Sequence, residues 1–320
     1  MKRNYHTIVT HKSPHIDEAA AILFLREFAG NRYPGVDKAK VIFWDAGIAT
    51  PDKKPWQEWH KKGYLLVGVG GSCFDEHTKD GRMKGECAAL LVAKDLRIEK
   101  ELYLKKVLEY VVINDTKGGN NPNDIAAVAR LANEQWFETK PNETLEFIIS
   151  LLSLRLNDQM DFFVNAKDEF DEYAETIPVK YGEKDIKVVF AQSNHLKLGA
   201  YARSEYGGHA NVIVVQNKKG NVVITTNKLP INLNMVIMGL RNLEAKLKGK
   251  TIPFEQLMVG GTVDYASEWY YDIQSCQILN GSKSAPNVPA TKITFNNLKK
   301  IIIEQLEKTD VQSRNLSMAS

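Results

Sequence analysis

Apolar and polar positions along this chain follow two regimes. Over residues 5–96, short apolar runs alternate with stretches of helical period. Strands are expected at 5–10, 40–44 and 64–69. Helices are expected at 17–28, 55–62 and 86–96, the last with Ala88, Leu91, Val92 and Leu96 along one face. That alternation predicts βαβ units and a parallel sheet. Further helices are expected at 102–112, 124–135 and 143–163. The character then changes. A connector at 173–178 is followed by a strand at 187–192, a helix at 194–206, and a hairpin of 211–216 with 221–226 across Asn217 to Gly220. Helices at 235–247 and 295–306 bracket an irregular stretch with Gly260-Gly261, Trp269-Tyr270-Tyr271 and Asn280-Gly281-Ser282. The polar residues 310–320 are expected to fray. The expected fold is α/β: a parallel-sheet N-terminal domain with flanking helices over 1–170, then a smaller α+β substrate-binding or cap domain over 171–320.

Composition narrows the class without deciding it. The 320 residues are 43% hydrophobic and 25% charged, an ordinary globular balance. An excess of 42 basic over 39 acidic residues is too small to demand nucleic acid and argues against a long duplex partner. Three cysteines without paired spacing fit a reducing, cytoplasmic setting better than a disulfide framework. Residues 1–5 lack an apolar core, so no signal peptide is expected, and no run approaches a membrane span.

The chemistry is concentrated where strands end. His11, His15 and Asp17 lie within seven residues at the junction of the first expected strand and helix. Asp45 follows the second strand, Asp75-Glu76-His77 follows the third, and Asp115 follows a helix. Each has a plain alternative: Asp17 as a helix cap, Asp45 and Asp115 as turn residues, and 75–77 as a solvated loop. The C-terminal strand ends of an open parallel sheet share one edge, so these clusters are expected to converge there. Imidazoles mixed with carboxylates suit Mn²⁺, Fe²⁺ or Zn²⁺ better than all-oxygen shells do, and there are enough of them for two ions that activate water against a phosphoryl group.

These motifs resemble the DHH phosphoesterase superfamily, and more closely its melanocyte-proliferating-gene hydrolase branch. His11, His15, Asp17 and Glu18 resemble the branch's first motif, with one residue fewer between the histidines. Gly68-Val69-Gly70-Gly71 resembles Asp-Val-Gly-Gly. Phe74-Asp75-Glu76-His77 resembles Tyr-Asp-His-His, and Val112 to Asp115 the fourth motif. The likeness covers about residues 5–125. It departs at Gly68, where the family has a ligating aspartate, and at Glu76, where it has a histidine. The resemblance implies a metal-dependent phosphoesterase. His11, His15, Asp17, Asp45, Glu76 and Asp115 would hold metal, with Asp45 standing in for the absent aspartate. His77 would face phosphate, and Asp75 would orient a histidine. Mn²⁺ is the expected cofactor, with Zn²⁺ or Mg²⁺ as alternatives. The substrate would be a nucleotide or short single-stranded nucleic acid; a homodimer is a further expectation, and no membrane partner is expected.

The resemblance also implies a second domain gripping substrate with a glycine-rich patch, which Gly207-Gly208-His209 resembles. His209 and Arg203 are the substrate contacts expected there, with His195 and Lys197 on the same helical segment as Arg203. Two alternatives stand beside the phosphoesterase: a catalytically silent nucleotide- or metal-binding regulatory protein, and a single-zinc hydrolase on His11, His15 and His77. Whether Asp45 reaches the cluster separates hydrolysis from mere binding.

Overall fold

The computed structural model describes residues 4–119, 121–227, 231–281 and 285–317. Ser282 and residues 318–320, both in stretches singled out above, lie outside these. The chain divides into two compact units, Met1–Met160 and Asp161–Ser320. It is a mixed α/β protein with a parallel three-stranded sheet and a mixed six-stranded sheet.

In the first unit the elements run β1 (Thr7–His11), α1 (Ile16–Phe28), β2 (Lys40–Trp44), α2 (Trp56–Lys61), β3 (Tyr64–Leu66), β4 (His77–Thr78), β5 (Gly81–Arg82), α3 (Ala88–Leu96), α4 (Leu102–Lys117), α5 (Ile125–Trp136) and α6 (Pro141–Met160). The sheet order is β2-β1-β3, both pairings parallel. β1 is buried along its whole length, as a central strand of a parallel sheet requires. α1 is buried at every position from Ile16 to Leu25, which is why its apolar run has so little polar face. It packs against α3, α4 and α6 in one core that includes Ile8, Phe24, Val92, Leu104, Leu145 and Leu152. α4 runs five residues past the expected end at 112, so Asp115 sits in its last turn and not in a loop.

In the second unit a π-helical turn at Asp161–Asn165 leads to α7 (Ala166–Tyr173), β6 (Ala174–Tyr181), β7 (Lys184–Gln192), α8 (Leu198–Arg203), β8 (Val212–Gln216), β9 (Val222–Thr226), α9 (Asn234–Leu247), β10 (Tyr270–Asp272), β11 (Gln277–Leu279) and α10 (Phe295–Ser317). The sheet order is β10-β11-β9-β8-β7-β6, with β7 and β8 parallel and the other pairs antiparallel. The expected connector at 173–178 is in fact the start of β6. Pro178 obscured it, yet proline is tolerated there because β6 is an edge strand. The expected fraying after 310 is replaced by a continuation of α10 to Ser317. Of the aromatic triplet, Trp269 and Tyr271 are core residues and only Tyr270 is exposed. No helix among the described residues is long and apolar enough to cross a membrane.

Candidate metal centre

The C-terminal edge of the three-stranded sheet gathers the acidic and imidazole side chains. His11 ends β1 opposite Trp44 at the end of β2. Four residues on, His15 is the N-cap of α1, and its backbone N–H donates to Glu18 Oε2 at 2.8 Å. The other Glu18 oxygen meets His11 Nε2 at 3.0 Å, while His11 Nδ1 donates to the Lys12 carbonyl at 2.7 Å. Burial opposes a charged His11, but the Glu18 carboxylate outweighs it and holds the imidazole pKa up at about 9. Burial likewise opposes the Glu18 anion, and His11 and His15 overcome it, so Glu18 is held well below the usual carboxylate range.

Asp17 points the other way. Its two oxygens accept the Ala88 and Ala89 N–H groups at 2.7 and 2.8 Å. These are orphan donors at the start of α3, whose own N-cap, Cys87, supplies no side-chain bond. Burial pushes the Asp17 carboxyl up, and the Glu18 charge adds to this. The alternative reading of Asp17 as a cap is therefore right in kind, but the helix it caps is a different one. Oxygen lone pairs remain, and Asp17, Cys87 and Asp115 offer ligand atoms within 4.8 Å of one another.

The loop after β3 brings in the second group. Gly68 sits at φ +63°, and its N–H donates to the Phe74 carbonyl at 2.8 Å. A Cβ at position 68 would lie 2.8 Å from Glu18 Cγ and 2.9 Å from Glu18 Oε1. The Glu18 carboxylate thus fills the space that an aspartate side chain at 68 would need. Asp75 Oδ2 accepts the Gly71 N–H at 2.9 Å. Its Oδ1 accepts the His77 N–H at 3.0 Å and the His77 ring Nδ1–H at 3.1 Å. Because a carboxylate only accepts, His77 is held with Nδ1 protonated and Nε2 free. Asp75 and Glu76 are buried and the His77 side chain is 53% exposed, so 75–77 is not a solvated loop.

Glu76 is the unusual member. Burial pushes its pKa up. Its Oε1 lies 3.4 Å from the Arg82 guanidinium and 3.6 Å from His77, while its buried Oε2 has no hydrogen-bond partner. Its charge acts on His11, Asp17 and Glu18. Arg82, on the β4–β5 hairpin, bridges Glu76 to Asp115.

Three ligand-capable triples result: His11/His15/Glu18, Asp17/Cys87/Asp115 and Asp75/Glu76/His77. Beside them lies a cavity of about 290 Å³ whose lining includes His15, Asp17, Arg82, Asn114, Asp115, Arg130 and Asn133. The sequence-predicted residues His15, Asp17 and Asp115 therefore share one cavity. Asp45 does not join any triple. It pairs with Lys12 Nζ at 2.7 Å, and its side chain is 88% exposed. His77 falls in a different triple from His11 and His15, so the three imidazoles do not form one ligand set.

In the second unit, Arg203 donates to Thr225 Oγ1 at 2.8 Å, and burial lowers its pKa. His209 is exposed, with φ +57°. The expected helix at 194–206 is only α8. His195 Nε2 and Lys197 Nζ both face Asp161, at 3.1 and 3.5 Å. Gly207 is required by packing, since a Cβ there would stand 2.2 Å from the Tyr201 carbonyl oxygen.

Motif reading missed Glu18 as a potential ligand, and Arg82, Arg130 and Asn133 altogether. The i, i+3 spacing of Arg130 and Asn133 within a helical run was their only sequence signal.

No family model and no curated protein matches the chain. Among solved structures, an uncharacterized protein from Helicobacter pylori G27 aligns over 97% of this chain and 100% of its own. Its identity is 11% and its TM-score 0.29, too slight a likeness to bear on fold or function.

Proposed function

We propose that the first unit carries a metal-dependent phosphoesterase centre, with a divalent ion held by His11, His15, Glu18, Glu76 and Asp115. The observation that carries this reading is the Glu76 carboxylate: buried, with Oε2 unpartnered, and close enough to His11 and Glu18 for its charge to act on both. An uncompensated buried carboxylate oxygen is costly. A cation shared with neighbouring imidazoles and carboxylates satisfies it. That donor set suits Mn²⁺ first, then Zn²⁺ or Mg²⁺. Glu18 supplies the carboxylate missing at Gly68, so the chain does not depend on Asp45.

Such an ion, when bound, lowers the pKa of a coordinated water and polarises a phosphoryl oxygen. The chain's own residues do the rest. Asp75 fixes the His77 tautomer, leaving Nε2 as a lone-pair acceptor that can take up a proton and, once protonated, donate to a phosphoryl oxygen. Asp17 ties the first turn of α1 to the start of α3 and so fixes where His15 and Glu18 project. The expected substrate is a phosphoester of a nucleotide or short oligonucleotide. The three free cysteines fit a cytoplasmic setting.

A second reading, a nucleotide- or metal-binding regulatory protein without turnover, is favoured by Arg82, whose guanidinium already bridges Glu76 and Asp115, and by the outward Asp45. A Mn²⁺-dependent assay on bis-p-nitrophenyl phosphate and short RNA separates the two. Turnover that His15→Ala and Asp115→Ala abolish is expected. Metal uptake without turnover on either substrate would establish the second reading instead.

A further inference from the structure

The cavity beside the metal centre has a second wall, formed by α5. Ala126, Ala129, Arg130 and Asn133 line it at i, i+3, i+4 and i+7, a single helical face. The two alanines leave room; the other two residues carry the chemistry. Arg130 is exposed. Among the described residues it makes no hydrogen bond and no ion pair, unlike Arg82, whose guanidinium is taken up by Glu76 and Asp115. A guanidinium without a counter-ion, presented to a cavity, is a two-pronged receptor for an oxyanion.

Asn133 adds a second requirement. Its Nδ2 donates to the Pro14 carbonyl at 2.8 Å. A carbonyl can only accept, so the amide orientation is fixed and Oδ1 is the atom left over. That Oδ1 is buried and has no partner. It calls for a donor on the ligand, such as a hydroxyl. The volume, about 290 Å³, lies at the lower end of the ~300–1,000 Å³ of small-molecule sites. It has room for one phosphorylated sugar and not for a run of nucleotides.

We infer that this cavity recognises the sugar-phosphate portion of the substrate, with Arg130 holding a phosphate oxygen pair and Asn133 Oδ1 accepting a hydroxyl. This rests on the phosphoesterase reading and narrows its substrate to a small, hydroxyl-bearing phosphoester.

Isothermal titration of the full chain, with Mn²⁺ and again with EDTA, using inorganic phosphate, ribose and ribose 5-phosphate, tests it. One additional hydrogen bond and a two-pronged ionic contact set the expected sizes. Ribose 5-phosphate should bind about tenfold tighter than phosphate, with ribose alone weakest. Arg130→Gln should weaken both phosphate probes by about tenfold while leaving Mn²⁺ uptake and the melting temperature unchanged. Asn133→Leu should erase the preference for ribose 5-phosphate; should that variant fail to fold, the probe comparison on the unaltered protein still decides the hydroxyl contact. Equal affinity for phosphate and ribose 5-phosphate, or phosphate binding indifferent to Arg130→Gln, overturns the inference. Phosphate binding that needs Arg130 in a protein taking up no Mn²⁺ supports it and overturns the metal reading alone.

Discussion

Both units bury charge, and the contrast between them separates scaffolding from a site. In the second unit Arg241 is fully buried on α9, yet its guanidinium donates to the carbonyls of Leu257, Val259, Gly261 and Trp269, leaving only Nε unpartnered. One turn on, Glu244 accepts from Trp269 Nε1, Thr291 Oγ1 and the Lys292 N–H. These ions tie residues 257–269 and 291–292 onto a helix, with their bonding capacity almost fully used. In the first unit Glu76 is just as buried but keeps a carboxylate oxygen unpartnered, and a cavity lies beside its partners Arg82 and Asp115. Burial of charge therefore does not mark a site. An unmet bonding demand next to accessible space does.

The largest effect expected from this contrast lies in the scaffold. Arg241→Leu strands four carbonyls, those of Leu257 and Trp269 fully buried, and should cost about 3–5 kcal/mol of stability in denaturant unfolding, with Mn²⁺ affinity of any folded fraction unchanged. A loss of metal affinity in that fraction would erase the distinction between the two regions. Next comes Gly68→Ala. The added Cβ meets Glu18 at a backbone φ that disfavours side chains. A loss of about 2 kcal/mol should accompany a Mn²⁺ affinity lowered by about 10–100-fold, because the Glu18 carboxylate must move.

A smaller effect is expected from pH on the metal-free protein. His11 is raised to about 9 from 6.5, so its contribution is complete below pH 6.5 and declines as pH rises through about 9. Glu18 is lowered, so its contribution is present above its ordinary pKa of 4.5 and declines as acid protonates it. Asp17 is raised from 3.8 to about 7, so the cost of keeping it ionised in the fold grows as pH rises from about 4 to about 7. Thermal melts should therefore show a maximum near pH 4.5, a first decline toward pH 7 set by Asp17 and a further decline through about pH 9 set by His11. His11→Asn should flatten the alkaline decline by an amount on the order of 1–2 kcal/mol; an unchanged profile in that variant would mean that the His11–Glu18 pair contributes nothing.

Much of this molecule was legible in its sequence where local pattern and burial agree. β2 lies at the expected residues, and α1 starts one residue early, because apolar runs ending in Asp45 and beginning after His15 carry their own boundaries. β6 was not legible, since Pro178 reads as a break until the strand is known to lie at a sheet edge. The place of His11 at the end of β1 followed from strand-end logic, whereas Asp115 reaches the cavity it shares with His15 from the last turn of α4. What escaped is set by tertiary approach. The filling of the Gly68 space by Glu18, the capping of α3 by Asp17 across 71 residues, and the pairing of Asp45 with Lys12 all depend on side-chain direction. Arg82 and Arg130 belong to no motif, so only the cavity brings them to notice.

The central claim is that Glu76 is buried incompletely satisfied because it serves a cation. Equilibrium Mn²⁺ titration of the full chain and of Glu76→Gln, with melting curves taken in EDTA, tests it most directly. The account predicts Mn²⁺ binding by the unaltered protein, weakened at least about tenfold in Glu76→Gln. It also predicts a metal-free variant about 1 kcal/mol more stable than the unaltered protein, because an unpaired buried oxygen has been neutralised. Equal Mn²⁺ affinity in the two proteins, or a Glu76→Gln variant that melts lower in EDTA, would contradict it.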